Sequence, residues 1–196
     1  MLKNLKEGKL SNTSKISQKN KPGSAELHSV PTNQNPINFF RKLVIKNMAD
    51  NFVSLHRVVT APPEKVFRAF TDKNAMASWI PPYGFLCEVH SMDVKIGGGF
   101  KMSFINFTTG NGHSFGGKYL DIKPNEFIKY TDTFDDPNLP GEMTTSVWLK
   151  AVSCGTEIKI LQENIPAMIP TEMCYLGWQE SLEKLKKLVE PNIPDN

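Results

Sequence analysis

Histidine is the side chain that most often serves acid–base catalysis and metal binding, and this chain has four. They are His28, His56, His90 and His113, and no two show the H-E-x-x-H or i, i+4 spacing that brings two ligands together on a helix. General acid–base catalysis also requires a partner within hydrogen-bond reach, which spacing alone does not supply. His90 and His113 fall on or near predicted strands and could project into a cavity. We expect ordinary surface or hydrogen-bonded positions for both, and we predict no metal site and no catalytic residue.

An acidic cluster, formed by Asp132, Asp135 and Asp136, lies near the end of a predicted strand. Paired carboxylates can act as acid and base when their surroundings separate their pKa values. The segment that follows, "DDPNLPGE" (135–142), is typical of an exposed loop. We therefore expect these carboxylates to be solvated.

The three cysteines, Cys87, Cys154 and Cys174, are widely spaced and include no C-x-x-C pair. This spacing argues against a disulfide framework or a zinc site and favours reduced thiols in a cytoplasmic protein. Neither a serine nor a cysteine lies in a nucleophile elbow or a Cys/His signature. The sequence thus offers no recognisable nucleophile.

The segment "GHSFGGKY" (112–119) imitates a phosphate-binding loop, G-x-x-x-x-G-K-[S/T], but has Tyr119 where Ser or Thr should hold magnesium. Such a loop must precede a helix, so that the helix N-terminus faces the phosphates. Here "KYLDI" continues as a strand pattern. We predict a glycine-rich bulge or hairpin and no nucleotide site.

The elements that must position these residues follow from hydrophobic periodicity and turn signals. An alternating, β-branched run predicts a first strand, and two short helices follow it, the second with Asp72 as its N-cap. Six further strands with short links predict an antiparallel meander. The strands are expected at 52–60, 85–90, 97–107, 113–122, 126–134, 143–151 and 155–163.

A long closing helix follows, within "MCYLGWQESLEKLKKLVEPN" (173–192). Its apolar stripe consists of Tyr175, Trp178, Leu182, Leu185 and Val189, at spacings of three and four. We expect the stripe to cover one face of the sheet, with Trp178 pointing inward. Gly177 costs roughly 1 kcal/mol inside a helix, so we expect a strand or loop to pass very close to it.

Charge divides the chain into two parts. Residues 1–47 hold nine Lys/Arg and two Glu, a net +7, whereas the remainder is net −4. We predict a disordered basic N-terminal extension over 1–47 and one folded domain over 48–192. The mildly acidic domain argues against nucleic-acid binding, and no apolar run approaches the ~18 residues of a membrane span.

Three blocks of the sequence resemble a known family. "RVVTAPPEKVFRAFTDKNAMASWIPPYGF", "MDVKIGGGFKMSF" and "LGWQESLEKLKKLVE" are similar to the activator-of-heat-shock-protein-ATPase homologue (Aha-type) domain of the START-like, birch-pollen-allergen-like (SRPBCC) superfamily. The resemblance covers residues 53–190. It implies an α+β helix-grip fold, in which a curved seven-stranded antiparallel sheet with two short helices grips a long C-terminal helix around a cavity.

The resemblance also implies the range of functions. We predict a non-enzymatic domain, monomeric or homodimeric, that binds a hydrophobic small molecule in the cavity and needs no cofactor. The alternatives are a polyketide cyclase- or aromatase-like enzyme using the same cavity, and a co-chaperone module that docks a heat-shock chaperone. Apolar and aromatic side chains with a few polar tips are typical of small-molecule pockets. The predicted ligand-binding residues are Trp79, Phe104, Phe115, Tyr130, Phe134, Trp148, Met168 and Trp178.

Overall fold

The computed structural model describes residues 51–194, which form seven strands and three helices. The predicted extension over 1–47 lies outside these residues. In chain order the elements are β1 (Val53–Val59), α1 (Pro63–Thr71), α2 (Lys73–Trp79), β2 (Phe85–Met92), β3 (Gly99–Asn106), β4 (Gly112–Lys123), β5 (Phe127–Phe134), β6 (Met143–Val152), β7 (Gly155–Glu163) and α3 (Thr171–Val189).

All seven strands belong to one antiparallel sheet in the order β1-β7-β6-β5-β4-β3-β2. Strands β2 to β7 form the predicted meander, and β1 pairs with β7, so the first and last strands are neighbours. The sheet is curled into a half-barrel whose concave face receives α3. The predicted α+β helix-grip fold is confirmed.

The short helices begin where the sequence predicts. Pro63 occupies the first position of α1, where a missing N–H costs nothing. The Asp72 carboxylate accepts hydrogen bonds from the backbone N–H groups of Asn74 and Ala75, at 2.8 and 2.9 Å, and so caps α2. In the chain these two helices connect β1 to β2, the two edge strands of the sheet.

The glycine-rich segment 112–119 belongs to β4 and pairs with β3 on one side and β5 on the other. Its register slips between Tyr119 and Asp121, as expected of a bulge. A Cβ on Gly117 would overlap the carbonyl oxygen of Thr131 on β5, so this position requires glycine. Close packing of β4 against β5 accounts for Gly117. The segment does not precede a helix, as a phosphate-binding loop would.

Helix α3 buries most of the predicted stripe, but not its first member. Trp178, Leu182, Leu185 and Val189 are buried, whereas Tyr175 is exposed, contrary to the prediction. The reason is that Cys174 and Gly177, and not Tyr175, face the sheet in the first two turns of α3, where both line a cavity. The stripe therefore starts at Trp178. No helix within residues 51–194 is long and apolar enough to cross a membrane.

Candidate functional site

A cavity of about 200 Å³ lies between the first half of α3 and the concave face of the sheet. Its wall is mainly apolar, and the few polar groups come from β4, β5, β7 and α3. The residues that line it are Phe70, Met76, Ile80, Pro82, Phe100, Met102, Phe104, Phe115, Tyr119, Ile128, Tyr130, Asp132, Phe134, Met143, Gln162, Ile169, Cys174, Gly177, Trp178 and Ser181.

Strand alternation decides which side chains reach the cavity. On β3, Phe100, Met102 and Phe104 line it, because residues two apart in a strand share a face. On β5 the same rule selects Ile128, Tyr130, Asp132 and Phe134. Two strands thus supply seven lining side chains.

Aromatic rings contact one another along the wall. Phe104 and Phe115 meet edge to face with ring centroids 4.8 Å apart, and Phe115 continues to Phe134 at 6.2 Å. Phe100 meets Tyr130 edge to face at 5.6 Å. Such contacts fix the positions of the rings relative to one another, so this wall is preformed.

The indole of Trp178 closes the cavity on the side of β7. Its Nε1 donates a hydrogen bond to Oε1 of the buried Gln162, at 3.0 Å. Because Gln162 Oε1 accepts this bond, its amide nitrogen is left as a donor beside the cavity. Ser181, one turn further along α3, instead donates to the carbonyl oxygen of Ile80 at 2.6 Å.

Gly177 faces the cavity with no side chain. A Cβ built at this position meets no atom of another element within 4 Å, so in the described part of the chain no strand or loop passes close to it. The prediction of a close neighbour is therefore wrong. The glycine instead leaves space in the cavity wall formed by α3.

Asp132 is the charged side chain of the cavity wall. It is 8% exposed, and within residues 51–194 its carboxyl has no hydrogen-bond or ion-pair partner. Burial raises its pKa from 3.8 to about 7. The prediction that Asp132 is solvated is wrong, because this residue belongs to the buried face of β5, and the loop begins only after Phe134.

The other titratable groups of the wall are two phenols and a thiol. Burial raises the pKa of Tyr119 to about 12 and that of Tyr130 further, and the nearby Asp132 adds to the effect on Tyr130. Burial also raises the pKa of the Cys174 thiol, again with a contribution from Asp132. All three are therefore neutral near pH 7 and can donate hydrogen bonds.

Five of the eight residues predicted to bind a ligand line the cavity: Phe104, Phe115, Tyr130, Phe134 and Trp178. The structure brings them together from β3, β4, β5 and α3. Binding of a ligand by them remains a prediction.

The other three, Trp79, Trp148 and Met168, do not line the cavity. Trp79, the last residue of α2, is fully buried against α1, where its Nε1 donates to the carbonyl oxygen of Ala69 at 2.7 Å. Trp148 is 42% exposed on the convex face, because the alternating positions Val147 and Leu149 take the concave one.

Met168 lies in the loop before α3 and is 66% exposed. Its neighbour Ile169 lines the cavity in its place. The segment has no regular period, so sequence could not show which of the two side chains faces inward.

The three histidines within residues 51–194, His56, His90 and His113, do not line the cavity. His90 shares a hydrogen bond with Ser103 Oγ at 2.7 Å, and Ser103 shares another with Ser114 at 2.7 Å. Glu88 lies 3.6 Å from the other ring nitrogen of His90. Glu88, His90 and Ser103 are thus linked in the same order as the acid, the histidine and the serine of a catalytic triad. Ser103, however, alternates with the cavity residues Met102 and Phe104 and so belongs to the opposite face. His113 is exposed at the start of β4.

Sequence reasoning missed Asp132, Gln162 and Gly177 as cavity residues. For Asp132 a signal was available, because it lies two residues after Tyr130 on a predicted strand and must share its face. Gln162 aligns with Thr145, which aligns with Tyr130, a register that only the structure shows. No cluster of three or more potential metal-binding side chains occurs in the part of the chain that the structure describes.

Solved structures with the same fold come from several bacteria. Protein CV1439 from Chromobacterium violaceum is 54% identical; the match covers 72% of this chain and 99% of that one, with a TM-score of 0.72. An AHSA1-like protein from Aeromonas hydrophila is 18% identical over 71% of this chain and 92% of its own, with a TM-score of 0.59. DynU16, from the dynemicin biosynthetic locus, is 18% identical over 72% of this chain and 48% of its own, with a TM-score of 0.57.

The last two similarities show the fold alone. No curated protein matches the sequence. A family model, described as activator of Hsp90 ATPase homolog 1-like protein, matches residues 60–190, which is more than half of the chain and spans β2 to β7 and all three helices. The chain therefore belongs to the activator of Hsp90 ATPase homolog 1-like family, as the sequence resemblance implied.

Proposed function

We propose that this protein binds a hydrophobic small molecule in the cavity between α3 and the concave face of the sheet. The observation that carries the proposal is the cavity of about 200 Å³ with a mainly apolar, aromatic wall. An unfilled apolar space is costly in a folded core, since its lining side chains lose contacts. A bound apolar ligand would restore those contacts and remove its own surface from water.

Gly177 provides the sharpest test, because substitutions there reach into the cavity from a helix without disturbing the sheet. Gly177→Phe should fill part of the cavity, whereas Gly177→Ala adds one methyl group to open space. The neutral fluorescent probe N-phenyl-1-naphthylamine should bind the wild type and Gly177→Ala saturably, with one site per chain. We expect Gly177→Phe to bind at least about tenfold more weakly, since the aromatic side chain occupies the same volume.

A flat titration of the wild type would overturn the proposal. Unchanged affinity in a Gly177→Phe variant with native circular dichroism would place the probe elsewhere and would also overturn it. Trp148→Phe serves as the second control, because this substitution removes an indole from the convex face and should leave the affinity unchanged.

A second candidate function, catalysis in the same cavity, is favoured by one observation. Asp132 has a pKa of about 7 and lies two residues from the buried phenol of Tyr130. A carboxyl group with a pKa near the working pH suits a general acid or base. Turnover of a polyketide-like substrate that is lost in both Asp132→Asn and Tyr130→Phe would favour this function over binding alone.

The family description favours a third candidate, an action on Hsp90. Stimulation of the chaperone's ATPase by the purified chain would support it. If Gly177→Phe stimulates as well as the wild type, the cavity is not needed for that action.

A further inference from the structure

The cavity wall of the described chain has an acidic side chain but no basic side chain to pair with it. Asp132 is the charged side chain among the lining residues, and no Lys, Arg or His joins it there within residues 51–194. The residue is more than nine-tenths buried, and its carboxyl has no hydrogen-bond partner in that part of the chain. An unpaired buried carboxylate is strongly unfavourable, so folded proteins normally pair such a group. Here the open volume of the cavity lies where the partner would be.

The neighbouring wall is suited to a cation. Tyr130 and Phe134 share the buried face of β5 with Asp132, one on each side of it. Phe115 lies against Phe134, with ring centroids 6.2 Å apart. The electron-rich faces of aromatic rings attract ammonium groups, and the attraction is stronger where water is excluded.

The same arrangement disfavours an acidic ligand. A carboxylate or phosphate in the cavity would meet Asp132 and no compensating basic side chain among the lining residues of the described chain. The remaining titratable groups, Tyr119 of β4, Tyr130 of β5 and Cys174 of α3, are all neutral near pH 7. They can donate hydrogen bonds but cannot neutralise a second negative charge.

We propose that the ligand consists of an apolar body with one basic amine, and that Asp132 binds the protonated amine inside the cavity. This inference rests on the proposed function, because it names the chemical class of ligand for the same site. The apolar body would lie among the aromatic side chains of β3 and β4. Ligand binding would then supply the counter-charge that the cavity wall lacks.

Three probes of matched shape separate charge from apolar contact: 4-phenylbutylamine, 4-phenylbutanol and 4-phenylbutyrate. Affinities are measured by isothermal titration calorimetry on the full chain at pH 8, where an alkyl amine is protonated. We expect the amine to bind at least about tenfold more tightly than the alcohol, and the acid to bind most weakly. Asp132→Asn should reduce the preference for the amine over the alcohol to about twofold or less, since it removes the charge but keeps the shape.

Asp135→Asn is the matched control. It removes the same charge from the same strand end, but Asp135 lies after β5 and pairs with Lys101 outside the cavity. The preference for the amine should survive in this variant. The alcohol serves as a check on Asp132→Asn, because retained alcohol binding shows that the cavity is intact.

A pH series on the wild type provides the same test without any substitution. Affinity for the amine should rise from pH 6 to pH 8 as Asp132 loses its proton, while affinity for the alcohol stays level. Equal affinities for amine and alcohol at pH 8, or a preference that persists in Asp132→Asn, would overturn the inference and leave the proposed function standing. Failure of all three probes and of N-phenyl-1-naphthylamine to bind would overturn both.

Discussion

Trp178 of α3 and Gln162 of β7 are joined by a hydrogen bond of 3.0 Å from the indole Nε1 to the amide Oε1. Both side chains are buried and both line the cavity. The bond therefore ties the helix to the sheet at the point where the two separate around the open space. Elsewhere α3 is held by apolar contacts and by bonds such as that of Ser181 to Ile80.

Gln162→Met should destabilise the protein by about 1–3 kcal/mol, because it leaves the buried indole N–H of Trp178 without an acceptor. Urea unfolding followed by far-UV circular dichroism measures the loss. The control is a double-mutant cycle with Trp178→Phe, which removes the N–H itself. Strictly additive effects of the two substitutions would show that the bond contributes nothing.

Gly177→Ala should stabilise the protein by up to about 1 kcal/mol. Alanine is a much better helix former than glycine, and the added methyl group meets no atom within 4 Å. Thermal unfolding would register the gain as a rise in Tm. A lower Tm would mean that α3 approaches the sheet more closely than the structure shows.

Asp132→Asn should raise stability at alkaline pH and leave it unchanged in acid. The pKa of Asp132 is about 7 in the folded protein and 3.8 ordinarily, so the folded state holds a proton that the unfolded state releases between these values. Wild-type stability therefore falls as pH rises from about 4 to 7 and stays low above that. The Asp132→Asn variant has no ionisable group at this position, so its stability does not fall in this way.

The difference in stability between the two proteins should be near zero at pH 4 and a few kcal/mol at pH 8, since a tenfold change in an acid dissociation constant corresponds to about 1.4 kcal/mol. Urea unfolding at both pH values measures the difference, and all other titrating groups cancel in it. Asp135→Asn removes a carboxylate that pairs with Lys101 outside the cavity, so this control should not be more stable than the wild type at pH 8. An asparagine variant that is less stable than the wild type at pH 8 would contradict a buried, unpaired carboxylate.

Gly117→Ala should destabilise the protein by more than about 2 kcal/mol, because its Cβ would overlap the Thr131 carbonyl and force β4 away from β5. Gly112→Ala, in the same strand, is the matched control: its Cβ would make ordinary contacts, the nearest at 3.6 Å. We expect the control to stay within about 0.5 kcal/mol of the wild type. Equal urea midpoints for the two variants would rule out the close approach.

The order of the elements could be predicted because each is encoded locally. Alternation identifies the strands, Pro63 and Asp72 mark the helix starts, and spacings of three and four identify α3. These signals depend on neighbours along the chain and not on tertiary contacts.

The residues that line the cavity were harder to predict, because the size and chemical type of a residue do not determine which face of the sheet its side chain lies on. The size and aromatic character of Trp148 favour a place in the cavity, but its alternation with Val147 and Leu149 puts it on the convex face. The proximity of Asp132 to Asp135 in the sequence favours a solvated cluster, but Asp132 belongs to the buried face of β5. The open space beside Gly177 depends on the separation of α3 from the sheet, and no local pattern encodes a distance between elements.

The cavity-lining residues of β5 lie at regular intervals along the cavity wall. Ile128, Tyr130, Asp132 and Phe134 follow one another at every second residue, so their Cα atoms are spaced roughly 6.6–6.8 Å apart, and the series spans about 20 Å. Shortening each side chain in turn would therefore report how far along the strand a guest molecule extends. The longest guest that the protein accepts could be measured in this way before its identity is known.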